Sequence, residues 1–380
     1  MKPFPTAFIT LALGSFAAPA APISLNPLLN PFLATNQLPA LGAVVVRSNA
    51  VIAIGAAGLR RADGPERVTV NDQWHIGSCT KSMTATLAAM LIEDGKVRWD
   101  TSLAEAFPQL APTFKPGWSD VTLVQLLAHR GGAPHTLDAD GLWGRLWKRA
   151  AQPPLEQRTY AVGELLTKHA PIHPAGGKFE YSNAGYMLVG HALELRLGSP
   201  CETLLRERLF LPLGMTNAGF GMPATMGQAD QPWGHTRKSG RLVPVKPGPQ
   251  ADNPAAIGPG GTVHCSLEDF AKYAAFHLRG HRTGDPLLPR ESFHKLHTRF
   301  AADGDYALGW SVLQRDWGGG DVLTHNGSNT MNFAVMWLAP ERDFAVIVCT
   351  NYGGPDAARL VDQVVGKLIQ QFLIAPGGAR

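Results

Sequence analysis

Apolar and polar positions change period twice along the chain. Near the front, Ala43 to Val46 and Val51 to Ile54 are two β-type runs around a turn-like break at Arg47-Ser48-Asn49-Ala50, which predicts an antiparallel hairpin. Gly55 to Gly64 reads as loop, and Val68-Thr69-Val70 as a short extended piece. The period then becomes helical. Met83, Leu87, Met90 and Leu91 recur at three- and four-residue steps, and Gly95 stands where a helix would stop. Small side chains from Thr84 to Ala89 suit a helix packed on all sides.

From Trp99 to about Gly280 the pattern is mostly helical. Thr122-Leu123-Val124-Gln125 has the form of a capping box, and Ser266-Leu267-Glu268-Asp269 repeats the device ahead of Phe270, Tyr273, Ala274 and Leu278. Val243 to Gly261 is crowded with Pro and Gly and is expected to be a surface loop. Strand-like runs return at Leu308 to Leu313, Val322 to His325, Phe333 to Leu338 and Phe344 to Thr350. Leu360, Val361, Val364, Val365, Leu368 and Phe372 form one stripe of a closing helix.

Strands at both ends with helices between them imply an α/β fold: an antiparallel sheet built from N- and C-terminal strands, flanked by helices, with an inserted mostly helical domain. The expected division is 21–76 with 300–380 for the sheet domain and 77–299 for the helical one. A groove between the two is the natural place for a site.

Composition narrows the class. The 380 residues are 45% hydrophobic and 17% charged, an ordinary folded chain. The formal charge is +4 with no concentrated run of Lys and Arg, so nucleic acid is not an expected partner. Lys2, the apolar run Ala7 to Phe16 and the small residues around Ala17 to Ala21 read as a cleavable leader over 1–20. The expectation is a periplasmic or secreted protein without a stable membrane span, working as a monomer. Cys79, Cys201, Cys265 and Cys349 are scattered singly, which is no zinc pattern and too sparse for a disulfide framework.

The candidate chemistry begins at Ser78 and Lys81. Three residues turn a helix by about 300°, so the two side chains stand one above the other at the N-terminal end of the predicted helix, with Cys79 about 100° away. Unpaired N–H groups there favour a developing anion. Alone, the pair also reads as a helix cap beside a solvated charge. Two further clusters matter. Tyr181-Ser182-Asn183 precedes a helix from Ala184 to Leu197, where Asn183 is equally a plain N-cap. His325-Asn326-Gly327-Ser328 ends a β-type run, equally a strand-end turn.

Other constellations are weaker. Pro171 separates His169 from His173, His277 and His281 straddle Gly280, and no G-x-S-x-G is present. Leu142, Trp143, Leu146 and Trp147 make an apolar stripe that reads as core, or as the lining of an acyl pocket.

With Ser78–Lys81, Tyr181–Asn183 and His325–Gly327 in this order, the chain resembles the serine β-lactamase and penicillin-binding-protein superfamily, in the class C-related esterase and DD-peptidase branch. Leu126-Leu127-Ala128-His129, Pro212-Leu213-Gly214-Met215 and Leu308-Gly309-Trp310 extend the likeness from about Leu41 to near the C-terminus. From the residues alone either Lys81 or Tyr181 could be the base; the resemblance implies a Ser78 acyl-enzyme in which Tyr181 takes the proton and the Lys81 ammonium stabilises its phenolate-like oxygen. If Tyr181 is the base, pairing with Lys81 would lower its pKa. Asn183 would orient Lys81 and substrate, and the amides of Ser78 and Ser328 would bind the oxyanion beside Gly327. No metal or other cofactor is implied. His325 stands where a β-lactamase usually has lysine, which favours an esterase or D-amino-acid peptidase acting on a small ester or peptide over an efficient β-lactamase. A true β-lactamase, or a non-turnover penicillin-binding sensor, is the alternative.

Overall fold

The structure, a computed structural model, describes residues 21–375. The expected leader at 1–20 lies outside the described residues.

The front hairpin forms with longer arms than the alternation indicates, β1 (Ala40–Arg47) and β2 (Ala50–Gly58), turning at Ser48-Asn49. β2 runs on into the expected loop because Ala56 and Ala57 each enter one of two cores on opposite faces of the sheet. β3 (Ser311–Gln314), β4 (Asp321–Ser328), β5 (Phe333–Ala339) and β6 (Phe344–Thr350) come from the C-terminal part. The sheet order is β2-β1-β6-β5-β4-β3, antiparallel throughout, with the two-residue strand Ile23–Ser24 added in parallel beside β2. Opposite ends of the chain therefore meet at the β1–β6 ladder. The fold is the α/β architecture expected from the alternating and helical periods.

The helices that bear on the site are α1 (Asn26–Asn36), α2 (Thr80–Glu93), α3 (Pro154–Lys168), α4 (Asn183–Leu197), α5 (Leu267–Thr283) and α6 (Ala357–Ile369). Strand alternation sorts the apolar side chains between them. Leu41, Ala43, Val45, Val346 and Val348 pack in one core with Leu29 of α1 and Leu360, Val364 and Leu368 of α6. Val44, Val46, Ala345 and Ile347 join the larger core that holds Met83 and Leu87 of α2 and Phe270 and Tyr273 of α5. Strands covered on both faces read as continuous apolar runs, which is why β1 and β6 are so uniformly hydrophobic.

Three local expectations are corrected. The strand expected at Leu308 begins only at Ser311, because Ala307 N–H donates to Trp310 O (2.8 Å) and closes a turn that buries Trp310. Val68 to Val70 is not a strand. Asp72 N–H turns back to Thr69 O (3.2 Å), and pairing starts instead at Gln73–His75 against Val263–Ser266. The Pro- and Gly-rich stretch is not a surface loop at its end. Ala255–Gly261 is helical, and Ala256 to Gly261 are buried. Its glycines serve closeness rather than exposure: a Cβ on Gly260 would sit 3.6 Å from Lys81 Nζ and 3.5 Å from Asn183 O.

All four cysteines are buried free thiols. No helix among the described residues is long and apolar enough to cross a membrane.

Candidate active site

From Trp74 through Leu91 every residue is buried except Ser78, which is half-buried. A helix enclosed on all sides thus presents a single hydroxyl to the surface. Ser78 lies in the tight turn Gly77–Cys79 that leads directly into α2. Thr80 Oγ1 donates to Gly77 O (2.7 Å), and the Cys79 thiol donates to His325 O (3.3 Å), tying the turn to β4.

The two backbones touch there. A Cβ on Gly327 would lie 2.4 Å from Ser78 N, and one on Gly77, where φ is +50°, would lie 2.4 Å from Ser328 N. Only glycine at both positions allows this approach. The amides of Ser78 and Ser328 consequently flank one narrow contact. β3 pairs with β4 only as far as Thr324, so His325 to Ser328 have an open edge on that side, with Ser328 exposed.

Lys81 is fully buried. Its Nζ is 2.7 Å from Asn183 Oδ1, 2.7 Å from Gly260 O and 3.1 Å from Ser78 Oγ. The two carbonyl oxygens only accept, so they claim two N–H groups, and the remaining position faces the serine. No carboxylate among the described residues pairs with it. Burial lowers its pKa to about 7. As an ammonium it donates to Ser78, and as an amine it turns a lone pair toward the Ser78 proton.

Asn183 is free for this role because the helix cap is Ser182, whose Oγ accepts from Gly185 N (2.9 Å). The plain-cap alternative for Asn183 is therefore corrected by one residue.

Tyr181 departs from expectation. Burial pushes its phenol up, against the opposing pull of the Ser78 hydroxyl. Lys81 Nζ sits over the ring, 4.8 Å from its centroid, and makes no hydrogen bond to the phenol oxygen. The lowered tyrosine pKa is not what this geometry supports.

His325 is buried, with its Nδ1 2.6 Å from Asn326 O and its Nε2 3.0 Å from Tyr306 Oη. A carbonyl only accepts, so Nδ1 carries the proton and Nε2 accepts from Tyr306. Burial, then the Lys81 charge, pushes its pKa down to about 3. At neutral pH this position holds no positive charge.

Three neighbours were not identified from sequence as parts of the site. Gly260 lay in the supposed loop. Tyr306 carried no motif. His129 belonged to a quoted match but had no assigned role. Its ring centroid is 4.4 Å from that of Tyr181, and its Nδ1 accepts from Ser182 N (3.0 Å). Burial, then the Lys81 charge, holds it well below the usual histidine range. A cleft of about 870 Å³ has Tyr181, Tyr306, His325 and Asn326 in its wall. The Leu142–Trp147 stripe is not part of it: Leu142 and Leu146 are core, and Trp147 Nε1 donates to Asp252 O (3.2 Å).

The family model described as Beta-lactamase matches residues 25–370. Penicillin-binding protein 4 of Amycolatopsis lactamdurans is 26% identical over 315 residues, covering 78% of this chain and 77% of the relative. A putative D-alanyl-D-alanine carboxypeptidase of Escherichia coli is 26% identical over 305 residues, covering 72% of this chain and 68% of its own. Among solved structures, the octameric penicillin-binding protein homologue from Pyrococcus abyssi superposes with a TM-score of 0.73 at 23% identity, covering 91% of this chain and 76% of its own, and has the same fold.

Proposed function

The chain belongs to the Beta-lactamase family, and from that premise we propose that it is a serine hydrolase that forms an acyl-enzyme on Ser78. Its substrates are small esters or D-amino-acid amides and peptides in preference to β-lactams. The observation that carries this reading is the contact between Ser78 Oγ and Lys81 Nζ (3.1 Å), made by the one surface-reaching side chain of an otherwise buried segment.

Lys81, as the amine, takes the Ser78 proton while Oγ attacks the acyl carbonyl. The amides of Ser78 and Ser328 receive the oxyanion. On collapse the bond to the leaving group breaks, and Lys81 Nζ, which lies beside Ser78 Oγ, gives its proton to that group. Water then repeats the sequence on the Ser78 ester, releasing the acid and restoring the hydroxyl. Asn183 and Gly260 keep Nζ aimed at Oγ. The neutral His325 offers no fixed cation to a β-lactam carboxylate, which supports the substrate ranking.

The test incubates the purified chain with a short-chain ester, a chromogenic cephalosporin and a D-Ala-D-Ala peptide, and follows the mass of the Ser78 peptide. An adduct at Ser78, with ester or D-peptide turnover above cephalosporin turnover, is expected, and Ser78→Ala removes both adduct and turnover. Full activity in that variant overturns the mechanism. Cephalosporin turnover alone overturns the substrate ranking and leaves a true β-lactamase.

A further inference from the structure

No regular ladder joins the turn that carries Ser78 to the edge that carries Ser328, which pairs with β5 on its other side only. Gly77 has a positive φ, and the edge from His325 to Ser328 has no partner on the β3 side. A buried polar chain joins them instead. His75 uses both ring nitrogens: Nδ1 is 3.2 Å from Gly77 N, and Nε2 is 3.0 and 2.9 Å from the two Asp252 oxygens. Gly77 N–H only donates, so Nδ1 is the acceptor and the ring proton sits on Nε2, donated to the carboxylate.

Asp252 Oδ1 also accepts from Asn253 N (2.7 Å) and from Asn329 Nδ2 (3.1 Å). Asn329 directly follows Ser328, and its Oδ1 gathers Met331 N (3.2 Å), Asn332 N (2.9 Å) and Asn332 Nδ2 (3.1 Å). His75, Asp252 and Asn329 are exposed by only 2%, 6% and 3%, so water does not share these bonds and each is costly to break. The chain starts one residue before Ser78 and ends one residue after Ser328.

We propose that His75, Asp252 and Asn329 are positioning residues that fix the spacing and direction of the Ser78 and Ser328 amides, and so set how well the site stabilises an oxyanion. This rests on the acyl-enzyme reading above. Donors of this kind act only when preorganised, and a misplacement near 1 Å costs on the order of 100-fold in rate. His75 cannot itself serve as the base for Ser78, because its one lone pair is already occupied by Gly77 N–H.

The experiment compares the wild type with His75→Asn, His75→Phe and Asn329→Ala. It measures kcat and KM on the ester, the rate of Ser78 labelling by a phosphonate, and Tm. An asparagine oxygen can stand where Nδ1 stands, whereas phenylalanine keeps no acceptor. His75→Phe and Asn329→Ala are expected to lose about 10- to 100-fold in kcat and in labelling rate, with KM within about twofold, because only transition-state stabilisation is lost. His75→Asn, which keeps an acceptor for Gly77 N but no donor to Asp252, recovers part of the loss. Asn329→Ala, at the far end of the chain, keeps the test decisive if His75→Phe does not fold. Folded variants with wild-type kcat and labelling, or with only KM raised, overturn the proposal. A wild type that is turned over but never labelled at Ser78 overturns the acyl-enzyme reading instead, so the two failures are distinguishable.

Discussion

Two buried cations hold the two ends of the segment Ala255–Gly261, and they are treated in opposite ways. Arg158 of α3 donates to Ala255 O (2.9 Å), and Lys81 of α2 donates to Gly260 O (2.7 Å). Both side chains are fully enclosed. Arg158, however, lies between two carboxylates: its Nε is 3.0 Å from Glu194 Oε1, and its Nη1 is 2.8 Å from Glu202 Oε1. Burial pulls its pKa down, but Glu202 and then Glu194 outweigh that, and the net shift is upward. Lys81 has only neutral acceptors, burial goes unopposed by any carboxylate, and its pKa falls to about 7. A cation paired this way stays charged and holds structure together. One left without a carboxylate is poised to give and take a proton.

The largest effect that would break this contrast is removal of the unpaired cation. Lys81→Ala is expected to lower kcat/KM on an ester by at least about 10³-fold, about 4 kcal/mol of barrier, with the fold retained. Ester kinetics together with a thermal melt check it, and an active Lys81→Ala would move the base role elsewhere. The matching change at the paired cation acts on the fold. Glu194→Ala leaves Arg158 buried and half-compensated and strips the partners of His191 Nδ1 and Cys201 N, both 2.8 Å from that carboxylate. A loss of about 3–5 kcal/mol in urea unfolding is expected, with Ser78 labelling per folded molecule unchanged.

The contrast also marks where sequence reading stops. Local patterns were legible: the terminal strands, the enclosed α2, and the three-residue step that puts Lys81 beside Ser78 all follow from periodicity. Tyr181 and Asn183 were legible through their motif and its order in the chain. The reach of Gly260 into the site was not, because Gly and Pro signal a loop whether or not another backbone packs against them. His75 and Asp252, or Arg158 and Glu202, meet only after folding, and no spacing announces such pairs. The direction of the Tyr181 pKa is hidden for a related reason: sequence names a nearby cation, but only the folded chain shows that burial dominates and that the ammonium faces the ring.

The pH profile sharpens the comparison further. If Lys81 works as the amine, kcat/KM falls as pH drops through about 7, approaching tenfold per unit below it. A tyrosinate base would behave differently, since burial pushes Tyr181 up and the rate would go on rising far into alkaline pH. Rate measurements from pH 5 to 10 on a neutral ester separate the two.

The smallest and most specific change makes the Lys81 site resemble that of Arg158. Asn183→Asp places a carboxylate where Oδ1 now accepts from Nζ at 2.7 Å, in nearly the same volume. An opposite charge at that range raises the lysine pKa by about 1–3 units, so the amine is scarce at pH 7 and the rate there falls about 10-fold or more. The loss should be recovered as pH rises past the new pKa, because the side chains that hold and receive the proton are unchanged. An acid limb that moves upward by a unit or more identifies Lys81 protonation as the control on rate. A limb that stays where it was, with uniformly lower rates, would mean that Asn183 orients the substrate and that the missing carboxylate around Lys81 has no part in the chemistry.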